Sequence, residues 1–526
     1  MYPNTFFHTL RQKLKPEWKF AFFSAFFTGF LIHFYRLANH LLTWDSVYNF
    51  HSDQNTIHIG RCFLTLTCGI SSYYDLQWII GLLSLVYLGL VCICLTEIFS
   101  LQKKTSIFLI SGLTVAFPSV AGTFAYMYTA DGYFLAMLSA TLSVLVTLKY
   151  KKGFLVGLFL LAFSYGSYQA YVSYAVMLIL TWSILQLLPD ALPIKELLSK
   201  WGRFLIMGIC GTALYFICNK TLASIQGISA SDYNGISKMS LPDGSDLIFA
   251  IKNCIIDFAY FFFGPLDQMN LFKLLNIALF LLLTSLIVYL IYNRQLYKKF
   301  EKLCILLLCF AAMPFVCSMI YFLSPSVRYY MLMYAGFSLI YMLPVLIYDS
   351  MPESNLAGTP DAAQTSHCTV VQPAKPKLVL AWYCVLLTGL TIFNFALIDN
   401  ISYLYMTTSN KMTYELTARM TDRIEQLENF EIAEKLCIIG HFDDFDTISL
   451  TLPPAMAGVR NSYTISEQEH FVAMMETYFG LSLKNCSEEE QMQIQNSDMF
   501  AEMSCWPAAD SVIQNGDTVI IKIAEK

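Results

Sequence analysis

The sequence predicts a mainly α, polytopic transmembrane helical bundle of about eleven spans, followed by a small C-terminal α/β domain. Three observations predict it. The chain of 526 residues is 56% hydrophobic and only 13% charged, where an average soluble protein is about 25% charged. Apolar runs near the roughly 20 residues that cross a hydrocarbon core recur up to about residue 400. Beyond that point the composition turns soluble and alternates helical with strand patterning.

The elements follow in chain order. A basic segment (Arg11, Lys13, Lys15, Lys19) precedes the first apolar run and no small-residue cleavage site follows, so the run reads as a first span that stays. Spans are expected at 19–38, 77–99, 105–124, 131–149, 153–166, 167–188, 202–222, 272–292, 303–323, 328–348 and 378–398. Residues 153–188 are too long for one span and only just long enough for two, with SYGS (164–167) as the turn. Pro118 and Pro314 interrupt spans, and an extra interfacial or re-entrant helix is expected at about 247–263, where Lys252 and Asp257 interrupt an aromatic-rich stretch. Residues 349–377, rich in Pro, Ser, Thr and Ala, read as a flexible linker.

Lysine and arginine set the expected orientation. Short segments carrying Lys103 and Lys104, Lys149, Lys151 and Lys152, and the stretch from Arg294 to Lys302 mark the inner face. The N-terminus is then cytoplasmic, the 349–377 linker inner, and everything after an eleventh span extracytoplasmic. The chain divides into a transmembrane part, 1–399, with a first external loop at 39–76, and an extracytoplasmic α/β part, 400–526. In the latter, helices are expected at 411–430 and 467–478 and strands at 435–440 and 517–523.

Composition also narrows function. A net charge of -5 argues for no polyanionic partner such as nucleic acid. Most of the 15 cysteines sit in apolar runs as small hydrophobes. Cys486 and Cys505 are the pair a disulfide could join in the polar part. There is no internal repeat, P-loop or dinucleotide fingerprint.

In a chain so poor in charge, the loop NHLLTWDSVYNFHSDQNTIHIGRCFLTLTCGISSYYD gathers Asp45, His51, Asp53, His58, Arg61 and Asp75. Asp45, just past the first span, can take a proton from an attacking hydroxyl as a general base, or cap a short helix at SVYNF. Asp53 is a rival base or substrate ligand, or a solvated loop residue. His51 and His58 with Asp53 match no metal template, so a divalent metal is not indicated and no cofactor is expected. Arg61 suits a lipid phosphate, which a guanidinium grips with two hydrogen bonds, or serves as a snorkelling anchor. Arg328 in SPSVRYY has the same two readings. Asp131 in FAYMYTADGY could bind sugar hydroxyls among Tyr126, Tyr128 and Tyr133, or favour a helix start. Tyr168 and Gln169 belong to an aromatic and amide cluster at a turn; tyrosines are common at membrane interfaces, but a buried amide needs partners. In the C-terminal part HFDDFD (441–446) is the most acidic patch, a solvated loop or a glycan or cation contact.

The pattern Asn39-His40, Trp44-Asp45-Ser46 and Gly60-Arg61, followed by FAYMYTADGY and SYGSYQAYVS, resembles the Gtr type II (O-antigen, serotype-converting) glucosyltransferases. The resemblance implies a GT-C-like membrane enzyme of the bacterial plasma membrane, with a polyprenyl-phosphate sugar donor and a cell-envelope glycan acceptor. Asp45 would be the acid of the first external loop and Gly60-Arg61 the family's Gly-Arg pair. Asp131 would be the acid of its tyrosine-bearing loop, and Tyr168-Gln169 its Tyr-Gln. Many relatives show paired acids in the first loop; here Ser46 follows Asp45 and Asp53 lies further on, which leaves their division of labour open. Inversion at the anomeric carbon is the expectation by resemblance. A transporter or flippase, or a polysaccharide polymerase, is the competing reading. Transporters commonly place charges near the bilayer midplane and repeat their halves, whereas these ionisable residues cluster at span ends.

Overall fold

The computed structural model describes residues 2–189, 191–229, 244–264, 271–324, 327–351, 375–442 and 463–524. A short helix α1 (Pro3–Lys13) leads into α2 (Pro16–Ala38), whose Pro16 sits in the first turn, where a missing N–H costs nothing. The loop after α2 holds a single helical turn, α3 (Leu64–Cys68), before α4 (Gln77–Phe99). There follow α5 (Lys104–Ala116), α6 (Pro118–Ala125), α7 (Met127–Lys149), α8 (Gly153–Ser167), α9 (Tyr171–Leu187) and α10 (Ile194–Gln226). Next come α11 (Gly244–Phe263), α12 (Phe272–Asn293), α13 (Phe300–Cys317), α14 (Ser338–Asp349) and α15 (Lys375–Glu425).

Among the described residues nine helices are long and apolar enough to cross a membrane, and α8 and α9 are two shorter apolar ones. They occupy the positions where the sequence places spans. The protein is a mainly α, polytopic helical bundle. Its centre is the α5–α6 pair, with 94% of its apolar window buried, while α10, at 22%, is peripheral and presents Leu205, Ile209 and Ile217 outward. Helices α2 and α4 pack closely because Gly29, Gly81 and Gly89 leave room for Leu85, Leu37 and Phe22, whose atoms lie within 2.5–2.7 Å of where a Cβ would stand. Small residues at such contacts let helix backbones approach.

Three segments differ from expectation. The expected span at 105–124 is two helices, since Pro118 cannot donate to the ladder and holds Phe117 extended. The expected helix over 328–348 begins with extended backbone and a 3-10 stretch, Met331–Phe337, before α14. The expected span at 378–398 and helix at 411–430 are one helix. With no Gly or Pro from 390 to 425 nothing breaks it, and Thr407, Thr408, Thr413 and Thr417 each bond back to the carbonyl four residues earlier. Helix α15 is 51 residues long, about 77 Å at 1.5 Å per residue, and runs unbroken through 399 and 400.

The chain past α15 forms a sheet of β1 (Lys435–Ile439), β2 (Lys484–Asn485), β3 (Val512–Asn515) and β4 (Thr518–Lys522), in the order β2-β1-β4-β3. Strand β1 runs parallel to β2 and β4, with Lys435 opposite Thr518 and Ile439 opposite Lys522; β3 and β4 form an antiparallel hairpin. Helices α16 (Gln468–Phe479), α17 (Glu488–Gln495) and α18 (Asp498–Glu502) surround it. The tail of α15 supplies Leu416, Met420 and Ile424 to this unit's core, and Arg423 lies over the Trp506 ring at 4.7 Å. No disulfide joins Cys486 and Cys505. Cys486 instead faces Cys437 on the neighbouring strand, and the thiol contact lowers its pKa to about 7 while pushing Cys437 up. Of the 441–446 patch, Phe442 is a core residue stacked on Phe471; 443–446 lie outside the described residues, as do residues 352–374 of the linker.

The two ends of the bundle differ chemically. One end gathers the basic side chains: Lys15 and Lys149 on Glu97, Lys103 on the backbone of Tyr348 and Asp349, and Arg203 on the carbonyls of Thr147 and Tyr150. The other holds the α2–α4 loop, the α8–α9 turn, residues 319–337 and the C-terminal unit.

Candidate active site

The α2–α4 loop is fixed at both ends. Ser52 donates its amide to Tyr73, and Asp75 to Phe50. Asp75 in turn receives the Gln77 amide at 2.7 Å and pairs with His40 at 3.2 Å. Its first part is also clamped to α15, whose Asn410 accepts from the Leu42 N–H at 2.6 Å and donates to the Leu42 carbonyl at 2.9 Å. Its middle is pressed onto α8, where the Phe63 amide bonds the Gly166 carbonyl at 2.7 Å.

These anchors frame a cavity of about 720 Å³. Its walls come from the loop (Trp44, Asp45, Gln54, Arg61), the start of α7 (Tyr128, Tyr133), the α8–α9 turn (Tyr168, Gln169), residues 320–333, and the start of α16 (Ser466, Glu467, His470).

Asp45 opens onto this cavity. The short 3-10 turn Val47–Asn49 that follows has no side-chain cap, so the carboxylate is not used as one; its partner for the turn is Ser46, whose hydroxyl receives the Thr43 amide at 2.9 Å. Among the described residues the carboxylate accepts no hydrogen bond. Asp45 is itself exposed, and desolvation of its carboxyl beside the cavity walls raises it above the usual carboxylate range, against the opposing influence of His470 and Arg61. A base of raised pKa that still faces an open cavity is suited to taking a proton from a hydroxyl.

Arg61 stands over an aromatic pair. Tyr133 and Tyr168 stack at 4.1 Å between centroids, the guanidinium lies 5.6 and 5.4 Å from their rings, and one of its N–H groups donates to the Tyr133 hydroxyl at 2.7 Å. Held this way, the flat cation loses little freedom when it meets an anion. The preceding Gly60 has φ +77°, and a Cβ there would stand 2.6 Å from both Gln169 Nε2 and the Tyr215 hydroxyl. Only glycine meets both demands. Tyr215 donates to the Gly60 carbonyl at 2.9 Å, and Gln169 to the Ile59 carbonyl at 3.1 Å. The Gln169 amide is therefore a fastener for the loop.

Of the residues singled out from the sequence, Asp45, Arg61, Tyr168 and Gln169 line one cavity. Asp53, Asp131 and Arg328 do not. Asp53 is exposed and accepts the Asn55 amide at 3.0 Å. Asp131 lies in the second turn of α7, buried, accepting the Gly132 amide at 2.9 Å. Arg328 is exposed over the Tyr330 ring, while its neighbours Val327 and Tyr330 reach the wall. His58 reaches the cavity, but His51 is exposed against Tyr74 at 4.4 Å. Among the described residues no three His, Cys, Asp or Glu side chains form a group that could hold a metal ion. Sequence reasoning gave no site role to Gln54 of the loop or to the Ser466–His470 wall, and only the folded contact between the loop and α16 brings that wall to the site.

With this geometry in place, comparison with known proteins shows that a family model described as glucosyl transferase GtrII matches residues 34–343. That span holds every cavity residue except the three from α16 and its cap. No curated protein and no solved structure matches the chain.

Proposed function

The chain belongs to the glucosyl transferase GtrII family, and we propose that it moves glucose from a polyprenyl-phosphate donor to a hydroxyl of a cell-envelope glycan, at the outer face of a bacterial plasma membrane. Glucosyl transfer, with a sugar donor and a glycan acceptor, is the family's chemistry rather than transport. The observation that carries the finer reading is the placing of a carboxylate of raised pKa and an aromatic-mounted guanidinium on one cavity at the end of a bundle of apolar helices. A donor whose lipid stays among those helices presents its phosphate to Arg61, and an acceptor reaches Asp45 through the open side.

In the proposed step the acceptor hydroxyl oxygen attacks the anomeric carbon while its proton passes to Asp45. The bond from that carbon to the phosphate oxygen breaks, and the electron pair leaves with the lipid phosphate, which Arg61 steadies. Attack from the face opposite the phosphate inverts the centre. Tyr168 and Tyr133 carry Arg61, Gln169 fixes the Gly60 turn, Asp131 supports the start of α7, and Asp53 and Arg328 are rim contacts for substrate. The gathering of Lys15, Lys103, Lys149 and Arg203 at the other end supports a cytoplasmic N-terminus. The catalytic end and the 400–526 unit then lie outside.

The test is transfer of labelled glucose from synthetic polyprenyl-phosphate glucose to envelope glycan in membranes holding wild type or Asp45→Asn. The variant should insert and accumulate as wild type and lose on the order of 10²–10⁴-fold in rate. Near-normal transfer by the variant would move the base to another residue.

A further inference from the structure

The cavity has one wall that the family match does not reach. Ser466, Glu467 and His470 come from the start of α16, in the C-terminal unit. We infer that His470 is a positioning residue for the transfer: its imidazole aims the Asp45 carboxylate at the acceptor hydroxyl, so the site is complete only with the C-terminal unit seated on the first loop. This rests on the reading of Asp45 as the base.

The argument is geometric. His470 occupies the third position of α16 and closes a capping box with Glu467. Its Nδ1 accepts the Glu467 N–H at 3.2 Å and lies 3.1 Å from the Ser466 hydroxyl. With Nδ1 committed as an acceptor, the neutral ring carries its proton on Nε2, a tautomer assigned from these hydrogen bonds. Nε2–H is then the polar group that the ring offers to the cavity, and no described residue accepts it. Across the same cavity the Asp45 carboxylate accepts nothing. Both groups line the one cavity with no hydrogen bond or ion pair joining them, so the imidazole reaches Asp45 across the space an acceptor hydroxyl would fill.

The ring is also held in place. Tyr48, three residues after Asp45, packs on it at 5.6 Å, and Phe50 packs on Tyr478 of the same helix at 6.2 Å. Beneath them Leu42 and Val47 of the loop are buried in the C-terminal unit's core with Phe471 and Met474. The ionisable groups around His470 are Asp45 and Tyr48 from the loop, Glu467 and Glu469 at its own helix start, and Arg61 across the cavity. When charged, the imidazole favours the ionised carboxylate, as Arg61 does.

The conservative variants separate aim from charge. In His470→Asn the side-chain oxygen still accepts the Glu467 amide, so the helix cap survives and the distal donor is lost. In His470→Gln an amide N–H returns near the Nε2 position without the ability to become charged. The full-length chain in membranes is assayed with synthetic polyprenyl-phosphate glucose and envelope glycan, across pH. We expect kcat to fall about tenfold in His470→Asn, as when one charge-assisted hydrogen bond made only with the acceptor bound is lost, and to recover largely in His470→Gln. In both, the acid limb of kcat/KM moves to higher pH, because a positive influence on Asp45 is gone. The donor KM stays unchanged. Acid limbs of both variants that overlay wild type would overturn the inference, with Asp45→Asn inactive showing that the base reading itself stands. An active Asp45→Asn would remove both together.

Discussion

Gly60→Ala is the substitution whose consequence is most directly worked from the structure. At φ +77° an L residue is in the left-handed region, which costs about 1 kcal/mol or somewhat more. The new methyl would stand 2.6 Å from Gln169 Nε2 and from the Tyr215 hydroxyl, too close for either to stay. Both are hydrogen-bonded to this turn, at 3.1 and 2.9 Å, and each such bond contributes about 1 kcal/mol. Together the strain and the two lost bonds come to about 3 kcal/mol, borne by the turn that sets Arg61 over Tyr133 and Tyr168. The cheapest relief is to swing the turn and take Arg61 off its rings. Transfer should then fall on the order of 100-fold at subsaturating donor. The control is Gly208→Ala on α10, where nothing lies within 4 Å of the new methyl and a helical alanine gains up to about 1 kcal/mol over glycine; its rate should match wild type. Rates and detergent thermal stabilities of both variants are measured side by side. Gly60→Ala with wild-type rate and stability would refute the argument, since it would mean that the turn carries neither strain nor contact worth measuring.

Other expectations follow from the same geometry. Arg61→Ala should raise the donor KM about tenfold or more, and Arg61→Lys should recover only part of it, because an ammonium keeps the charge but not the fork or the bond to Tyr133; equal KM for Lys and Arg in donor titrations would count against phosphate binding here. Asp53→Asn should transfer within about twofold of wild type, since its exposed side chain only receives the Asn55 amide, which an amide oxygen also accepts; a large loss would make Asp53 a partner in catalysis. Desolvation beside the cavity walls raises the Asp45 carboxyl although the residue is itself exposed, and the proposed base works only when ionised. Activity should therefore fall as pH drops through a value above the ordinary carboxylate range of about 4, and an acid limb at or below that range in kcat/KM profiles would contradict the desolvation of Asp45.

Much of the fold was legible because a bilayer imposes a length: apolar runs near 20 residues announce themselves one by one, and the two weakest, 153–166 and 167–188, are the two short helices α8 and α9. The unbroken α15 was legible in principle, since no Gly or Pro interrupts it, but the change from apolar to polar surface along it reads as a boundary. A helix crosses such a change without altering its backbone. For the site, Arg61 and the tyrosines also had ordinary interfacial readings, and only the Gln169 amide asked for partners; Gly60-Arg61 and Tyr168-Gln169 meet around one turn. What sequence could not rank were the acids. Asp45 and Asp53 share a loop and both are exposed, yet only Asp45 lines the cavity. Asp131 reads as a mouth residue because an aspartate is common at a helix start, but α7 begins four residues earlier and carries it inward.

His470 lies beyond any local signal, and the reason is instructive about how the site is built. Asp45 is set between two hydrophobic cores. On one side Leu41, Ile57 and Leu64 of the loop belong to the core of the helical bundle; on the other, Leu42 and Val47 belong to the core of the C-terminal unit. Adjacent residues, Leu41 and Leu42, thus point into different cores, which is what an extended stretch of chain allows and a helix does not. The carboxylate sits on the seam, so its position depends on both cores being formed, and the continuous helix α15 that enters both, with Asn410 clamping Leu42 at the crossing, holds the two in register. A loop tied to the bundle alone would leave Leu42 and Val47 exposed and Asp45 free to turn toward water. The polar C-terminal unit is in this sense the missing half of the first loop's packing, and the proposed site sits where the two halves meet.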